Sequence, residues 1–173
     1  MSPELRADAQ RNRAAILAAA SETFAEHGPK ATTEQVAIRA GVAVGTVFRH
    51  FPTKQALLVA IMKESLHRLI AKAAESTLFD FMTEIVDEAV RTQTVVAAFT
   101  GPQLDIRDAL MGLTEEMRRL LEQAKDAGEV RSAVQVDEVM ALLTAAAQAA
   151  QQGGWSVDLR RRTLAIIFKG LAP

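Results

Sequence analysis

Apolar positions recur at three- and four-residue spacing along almost the whole chain, and no stretch shows the period of two that marks a half-buried strand. Ala, Leu, Glu, Arg and Gln dominate these runs, and all of them favour helix. The pattern predicts nine helices. The first covers 6–27 and would bury Ile16, Ala20 and Phe24, with Gly28 and Pro29 closing it as a C-cap glycine followed by a residue that cannot continue the helix. Two short helices fall within 32–51, and a fourth, capped by Thr53, carries Leu57, Leu58, Ile61, Met62, Leu66 and Leu69 on one broad face to about residue 74. Next come a helix over 77–92 with Leu78, Phe81, Met82, Ile85, Ala89 and Val90 on one face, and a short helix near 94–100 that ends at Gly101-Pro102. A helix over 104–127 has Ile106, Leu110, Leu113, Met117, Leu120, Leu121 and Ala124 in register and closes at Gly128. Helices over 136–151 and 157–170, separated by Gly153-Gly154, complete the set.

Among these segments, 32–58 is the most informative: TTEQVAIRAGVAVGTVFRHFPTKQALL. Thr32 and Gln35 have the spacing of a capping box, in which hydroxyl and amide satisfy the free N–H groups at a helix start. Val36, Ala37 and Ala40 form a small apolar face, and Gly41 ends the helix where positive φ is wanted. Val44, Val47, Phe48 and Phe51 then recur at helical spacing until Pro52 stops the second helix. The small side chains Ala37 and Ala40 allow the two helices to cross closely. Such a helix-turn-helix exposes its second helix, which suits it to enter a DNA major groove.

Composition narrows the classes further. With 173 residues, 49% hydrophobic and 24% charged, the chain has the profile of a folded protein with room for one domain, or two small ones sharing a core. The absence of cysteine excludes a disulfide framework and thiol catalysis. No apolar run is long enough to span a bilayer, and the polar start MSPELRADAQRNR does not read as a signal peptide, so a cytoplasmic address is expected. The net charge of −1 argues against DNA on its own, but its distribution does not. Residues 1–55 hold seven Lys/Arg against five Asp/Glu, or +2, while 56–173 hold thirteen against sixteen, or −3. The small basic excess sits with the helix-turn-helix.

The run G-V-x-x-G-T-x-F-R-H-F-P-T-K over 41–54 resembles the TetR family of bacterial one-component transcription regulators, and the preceding RAAILAAASETFAEHGPKA is similar to that family's first helix. The matched residues span 11–62, about a third of the chain. The resemblance implies an all-α, nine-helix fold: a TetR-type helix-turn-helix DNA-binding domain over 9–70, with its helix-turn-helix at 32–51, and a C-terminal ligand-binding and dimerisation domain over 76–173. It places DNA contacts at Thr33, Ala43, Val44, Gly45, Thr46, Phe48, Arg49, His50 and Lys54. Thr33 would meet a phosphate at a helix start. Gly45 would let the backbone approach the duplex, and Thr46 offers a hydroxyl and a methyl. Arg49 can pair bidentately with guanine or a phosphate, and Lys54 opposes the dipole of its own helix, which fits a phosphate bound there. Three positions depart from the family pattern: Ala43 replaces a serine, Val44 a lysine and Phe48 a tyrosine. Two outcomes fit that loss of polar contacts, weaker binding or greater use of thymine methyls.

The same resemblance implies an apolar ligand cavity, for which Met62, Leu66, Phe81, Met82, Ile85, Met111, Met117 and Met140 are the candidates; adaptable methionines suit a hydrophobic guest, although for any single one of them a place in a solid core is the leading alternative. Small residues at i, i+4 and i+8 on 136–151 and larger ones on 157–170 suggest a four-helix homodimer interface that includes Leu142, Ala145, Ala149, Leu159, Ile167 and Phe168. No P-loop, GxSxG or HExxH motif is present, and no histidine pair has metal-ligand spacing, so no enzyme, metal or cofactor is expected. Glu115-Glu116 and Asp87-Glu88 read as solvated helix faces. The expected function is that of a repressor, a homodimer released from an inverted-repeat operator on double-stranded DNA by a small hydrophobic effector. The alternative is a helical scaffold or dimerisation protein that has lost strong DNA binding.

Overall fold

The computed structural model describes residues 3–98 and 105–173, with side chains from Asp8 onward. Among the described residues there are eight α-helices, one 3-10 turn and no strand: α1 (Pro3–His27), the 3-10 turn (Gly28–Lys30), α2 (Thr33–Ala40), α3 (Val44–His50), α4 (Lys54–Ala73), α5 (Leu78–Ala98), α6 (Arg107–Asp126), α7 (Val136–Gly153) and α8 (Val157–Leu171). None of these helices is long and apolar enough to cross a membrane. The chain divides into two compact units, residues 1–64 with 92–106 and residues 65–91 with 107–173, and the division falls within α4 and α5.

Nine helices are expected from the sequence pattern, and the described residues hold eight. The segments 77–92 and 94–100 are one continuous helix as far as Ala98, while Gly101-Pro102 lies outside the described residues. The joining residues Arg91, Thr92, Gln93 and Thr94 include no glycine or proline, and β-branched threonines lower helix propensity by only a few tenths of a kcal/mol. Nothing there ends a helix.

In the first unit, α1 packs on α2 and α2 on α3, and Ile16, Ala20, Phe24, Val36, Val47, Leu57 and Leu58 are fully buried. The helix ends follow local chemistry. Gly28 closes α1 at φ 55° and Gly41 closes α2 at φ 67°. Thr53 Oγ1 accepts from the Ala56 N–H at 3.0 Å and so caps α4.

In the second unit, α6 packs on α7 and α7 on α8, around Phe81, Met82, Met117, Leu121, Val139, Leu143 and Leu164. On α6 the buried positions are Ala109, Leu113, Met117, Leu120, Leu121 and Ala124, whereas Leu110, expected in that face, is exposed. Leu110 stands in the first turn of α6, where a side chain leans toward the helix N-terminus and away from the turns that follow. Long-range polar ties lock the corner between α7 and α8 onto α5. Arg160 Nε donates to Asp87 Oδ1 at 2.6 Å, its Nη1 to the Trp155 carbonyl at 2.7 Å, and Gln151 Nε2 to the Ala89 carbonyl at 2.7 Å. Trp155 closes over Gly153, where a Cβ would come within 2.6 Å of the indole Nε1. The C-terminus is fastened similarly, the Arg131 N–H donating to the Leu171 carbonyl at 2.9 Å.

Asp87 and Glu88 are therefore not the solvated pair that their sequence suggests. Asp87 is held by Arg160, and the Glu88 side chain, only 12% exposed, pairs with Arg91 and Arg68.

Candidate nucleic-acid interface

The helix-turn-helix is built by the capping chemistry that its sequence announces. Thr32 Oγ1 accepts from the Gln35 N–H at 3.2 Å, and Gln35 Oε1 accepts from the Thr32 N–H at 2.9 Å. At the other end of α2, the left-handed Gly41 lets its own N–H reach the Ile38 carbonyl at 3.2 Å and the Val42 N–H reach that of Ala37 at 3.0 Å. The chain then enters α3 at Ala43, an extended N-cap with no side chain able to accept a hydrogen bond. A serine at this position would supply that acceptor.

Two apolar residues hold α3 in place: Val47 is fully buried and Phe51 nearly so, with the Arg13 guanidinium 5.4 Å from the Phe51 ring centroid. The opposite side faces outward. Gly45, Phe48 and Arg49 are exposed, Val44, Thr46 and His50 half-buried, and Arg49 has no ion pair among the described residues. Phe48 is 42% exposed although aromatic. Gly45 has an ordinary helical φ, and a Cβ there would meet nothing within 4 Å, so neither conformation nor packing requires a glycine.

Two of the expected phosphate contacts are otherwise engaged. Thr33 is buried, and its hydroxyl lies 3.4 Å from Glu34 Oε2. The Glu34 carboxyl is held below the ordinary glutamate range, first by its own backbone N–H and then by the Thr32 hydroxyl. Lys54 Nζ donates to the carbonyls of Pro29 and Ala31. Arg39 is also occupied, bonding Glu26 at 2.5 Å with Glu22 at 4.0 Å. That hydrogen bond is the leading reason why the Glu26 carboxyl is lowered and the Arg39 guanidinium raised. Of the basic residues in 1–55, Arg13, Lys30 and Arg49 remain exposed without an ion pair among the described residues, Arg13 lying over the Phe51 ring. Lys30 ends the 3-10 turn just before α2. A single lysine in a Gly-Pro-Lys turn has no sequence signal that separates it from a solvated charge.

The residues expected around a ligand divide differently. Leu66, Phe81, Met82 and Met117 are buried in the second unit and Ile85 and Met140 half-buried there, while Met62 is buried in the first. Met111 is 65% exposed. It lies six residues from Met117, so the two side chains point about 120° apart around α6 and cannot share one interior face. Ser65 joins the buried set: it is 2% exposed, and its Oγ meets no protein partner. Its position between Ile61 and Leu69 at i±4 on an apolar stripe was a readable signal. An open cleft of about 280 Å³ lies elsewhere, between α1 and α2, lined by Thr23, His27, Gln35, Ile38 and Arg39.

Of the expected dimer residues, Leu142, Ala145 and Leu159 are exposed on α7 and α8, and Ala149 and Ile167 are half-buried. Phe168 packs edge-on against Phe79 with ring centroids 5.3 Å apart.

Eight helices, a capped helix-turn-helix and an outward-facing α3 define a helical transcription regulator. Residues 16–61 match the family model of bacterial regulatory proteins of the tetR family, and 73–173 match that of the C-terminal domain of SbtR-like transcriptional regulators. The chain belongs to the TetR family, whose members are DNA-binding transcription factors and not enzymes. The crystal structure of a TetR transcription regulatory protein from Mycobacterium vanbaalenii is 35% identical, with 98% of this chain and 99% of that one covered and a TM-score of 0.77. The transcriptional regulator UidR of Escherichia coli is 25% identical over 146 residues, 75% of this chain and 74% of that protein. An HTH-type transcriptional repressor of Mycobacterium tuberculosis is 42% identical over 71 residues, 39% of this chain and 38% of that protein.

Proposed function

We propose that this TetR-family regulator represses transcription as a homodimer on an inverted-repeat operator and is released by a small, largely apolar guest. The observation that carries the reading is the two-sided α3: Val47 and Phe51 anchor it, while Gly45, Phe48 and Arg49 face outward. Gly45 supports close backbone approach, since nothing inside the protein accounts for the missing side chain. With Ala43, Val44 and Phe48 in place of more polar residues, Thr46 and Phe48 offer methyl and ring to thymine, and Arg49 is the base-reading candidate. The M. tuberculosis relative, itself described as a repressor, supports the sign of regulation.

Pairing of subunits is supported by α7 and α8, which leave Leu142, Leu159 and Ile166 uncovered, Ile166 at 72% exposure. Two-fold pairing would set the recognition helices about 34–36 Å apart or a multiple of it, which calls for two half-sites. The guest reading is supported by Phe81, Met82 and Met117, all buried in the second unit, with the buried Ser65 hydroxyl, which bonds no protein group, as a polar anchor. A guest switches DNA affinity only if it binds the two conformations unequally.

The test is salt-dependent binding to a palindromic duplex drawn from DNA flanking the coding region. Arg49→Ala should weaken binding by about 1–3 kcal/mol and relax preference at one position per half-site. Operator affinity and thermal stability are then followed across a panel of hydrophobic compounds. No binding at low salt would favour the helical scaffold instead. Binding without any stabilising compound would remove the guest and leave the repressor.

A further inference from the structure

Lys54 opens α4, where the helix dipole disfavours a cation. The partners that offset this are inside the protein. Lys54 Nζ donates to the Pro29 carbonyl at 2.9 Å and the Ala31 carbonyl at 2.8 Å, and it lies 5.3 Å from the centroid of the Phe24 ring. Both carbonyls belong to the connector that leaves α1, where the aligned peptide dipoles end in partial negative charge. Phe24 is the fully buried anchor of α1 itself. One ammonium therefore joins α1, the connector and α4. Two of its three N–H groups are engaged in charge-assisted bonds, and the ring adds a cation–π contact.

We propose that Lys54 is a positioning residue of the DNA-reading unit, a clamp that sets where the connector delivers α2, and not a ligand of a DNA phosphate. The residue after Ala31 is Thr32, the N-cap on which the whole capping box depends. With the two carbonyls held, Lys54 has one N–H left, and full engagement with a phosphate would release those bonds and expose two carbonyls of the connector. The clamp exists without DNA; only its effect on affinity rests on the DNA-binding reading above.

The experiment uses the full chain with Lys54→Met, which keeps the apolar stem and removes the charge and the N–H groups. Two quantities are read: amide hydrogen exchange without DNA at Ala31, Thr32, Gln35 and Val36, and the dependence of log K on log salt for an inverted-repeat duplex. The clamp predicts about tenfold faster exchange at those amides, unchanged exchange in α7, and weaker binding with the wild-type salt slope. A slope lowered by about 0.9, the loss of one phosphate contact, overturns the proposal whatever the exchange shows. Unchanged exchange overturns it as well. If Lys54→Met does not fold, Lys54→Gln, neutral but still a donor, is read by the same two measurements. A wild-type protein that fails to bind the duplex at low salt defeats the DNA-binding reading, and the exchange data still decide the clamp.

Discussion

The two units of this protein are held together over different distances along the chain. In the first, the features that shape the recognition helix are spelled in adjacent residues: the capping box spans three positions, and Gly41, Pro52 and Thr53 each act where they stand. In the second, the polar ties join residues far apart in sequence. Arg160 to Asp87 spans 73 positions, Gln151 to Ala89 spans 62, and Arg119 to the Ala73 carbonyl spans 46. A short span can be set by local geometry before anything else folds. A long one exists only once the helices have packed. The first unit is thus specified mainly by its turns, with Lys54 and Arg39 as its longer ties, and the second by distant partners.

That contrast is open to attack at several points. The largest effect is expected at Ala145, exposed on α7. Ala145→Glu would set like charges across the proposed two-fold axis, so sedimentation should show monomers and operator affinity should fall by about a hundredfold or more. A variant that still sediments as a dimer rules out that interface.

Next comes the distant pair in the second unit. Arg160→Ala strands the Trp155 carbonyl and the Asp87 carboxylate, the Arg160 and Asp87 side chains being only 10% and 25% exposed. Denaturant unfolding should show a loss of about 3 kcal/mol, with a shift in Trp155 emission. A loss within about 0.5 kcal/mol, the usual surface value, would mean that the tie does not hold the unit.

Gly45→Ala sharpens the argument about the first unit because its two effects have opposite signs. A methyl group fits without a neighbour within 4 Å, so α3 should gain about 0.5–1 kcal/mol of stability, while operator binding weakens. Unchanged or tighter binding would show that no duplex approaches that backbone.

The smallest effect is a pH dependence in the pair that ties α1 to α2. The Arg39 hydrogen bond holds the Glu26 carboxyl below its ordinary value, so Glu26 contributes stability that is present above about pH 4.3 and lost as pH falls through the lowered value. The wild type should melt slightly above Glu26→Gln at neutral pH, and the gap should close in acid. A gap that stays constant with pH would mean that the ion pair is not its source.

Much of the recognition unit was legible in the chain because its signals are local. Thr32 with Gln35, Gly28, Gly41 and Thr53 all act as their neighbours imply, and Ile16, Ala20 and Phe24 are buried as their spacing requires. Helical spacing also set the all-α class and most of the apolar faces in the second unit. Local signals thus set most helix ends and most apolar faces, the break expected near residue 93 and the placing of Leu110 excepted. Capping geometry and 3.6-residue periodicity involve only near neighbours. Tertiary structure alone decided what each charge meets. Asp87 and Glu88 read as solvent-facing until Arg160 and the α4–α5 pairs reach them, and Lys54 read as a cation short of an anion until two carbonyls of the connector proved to lie beneath it. A charged side chain takes its role from the partners within a few ångströms, and the fold brings those partners from 20 to 73 residues away.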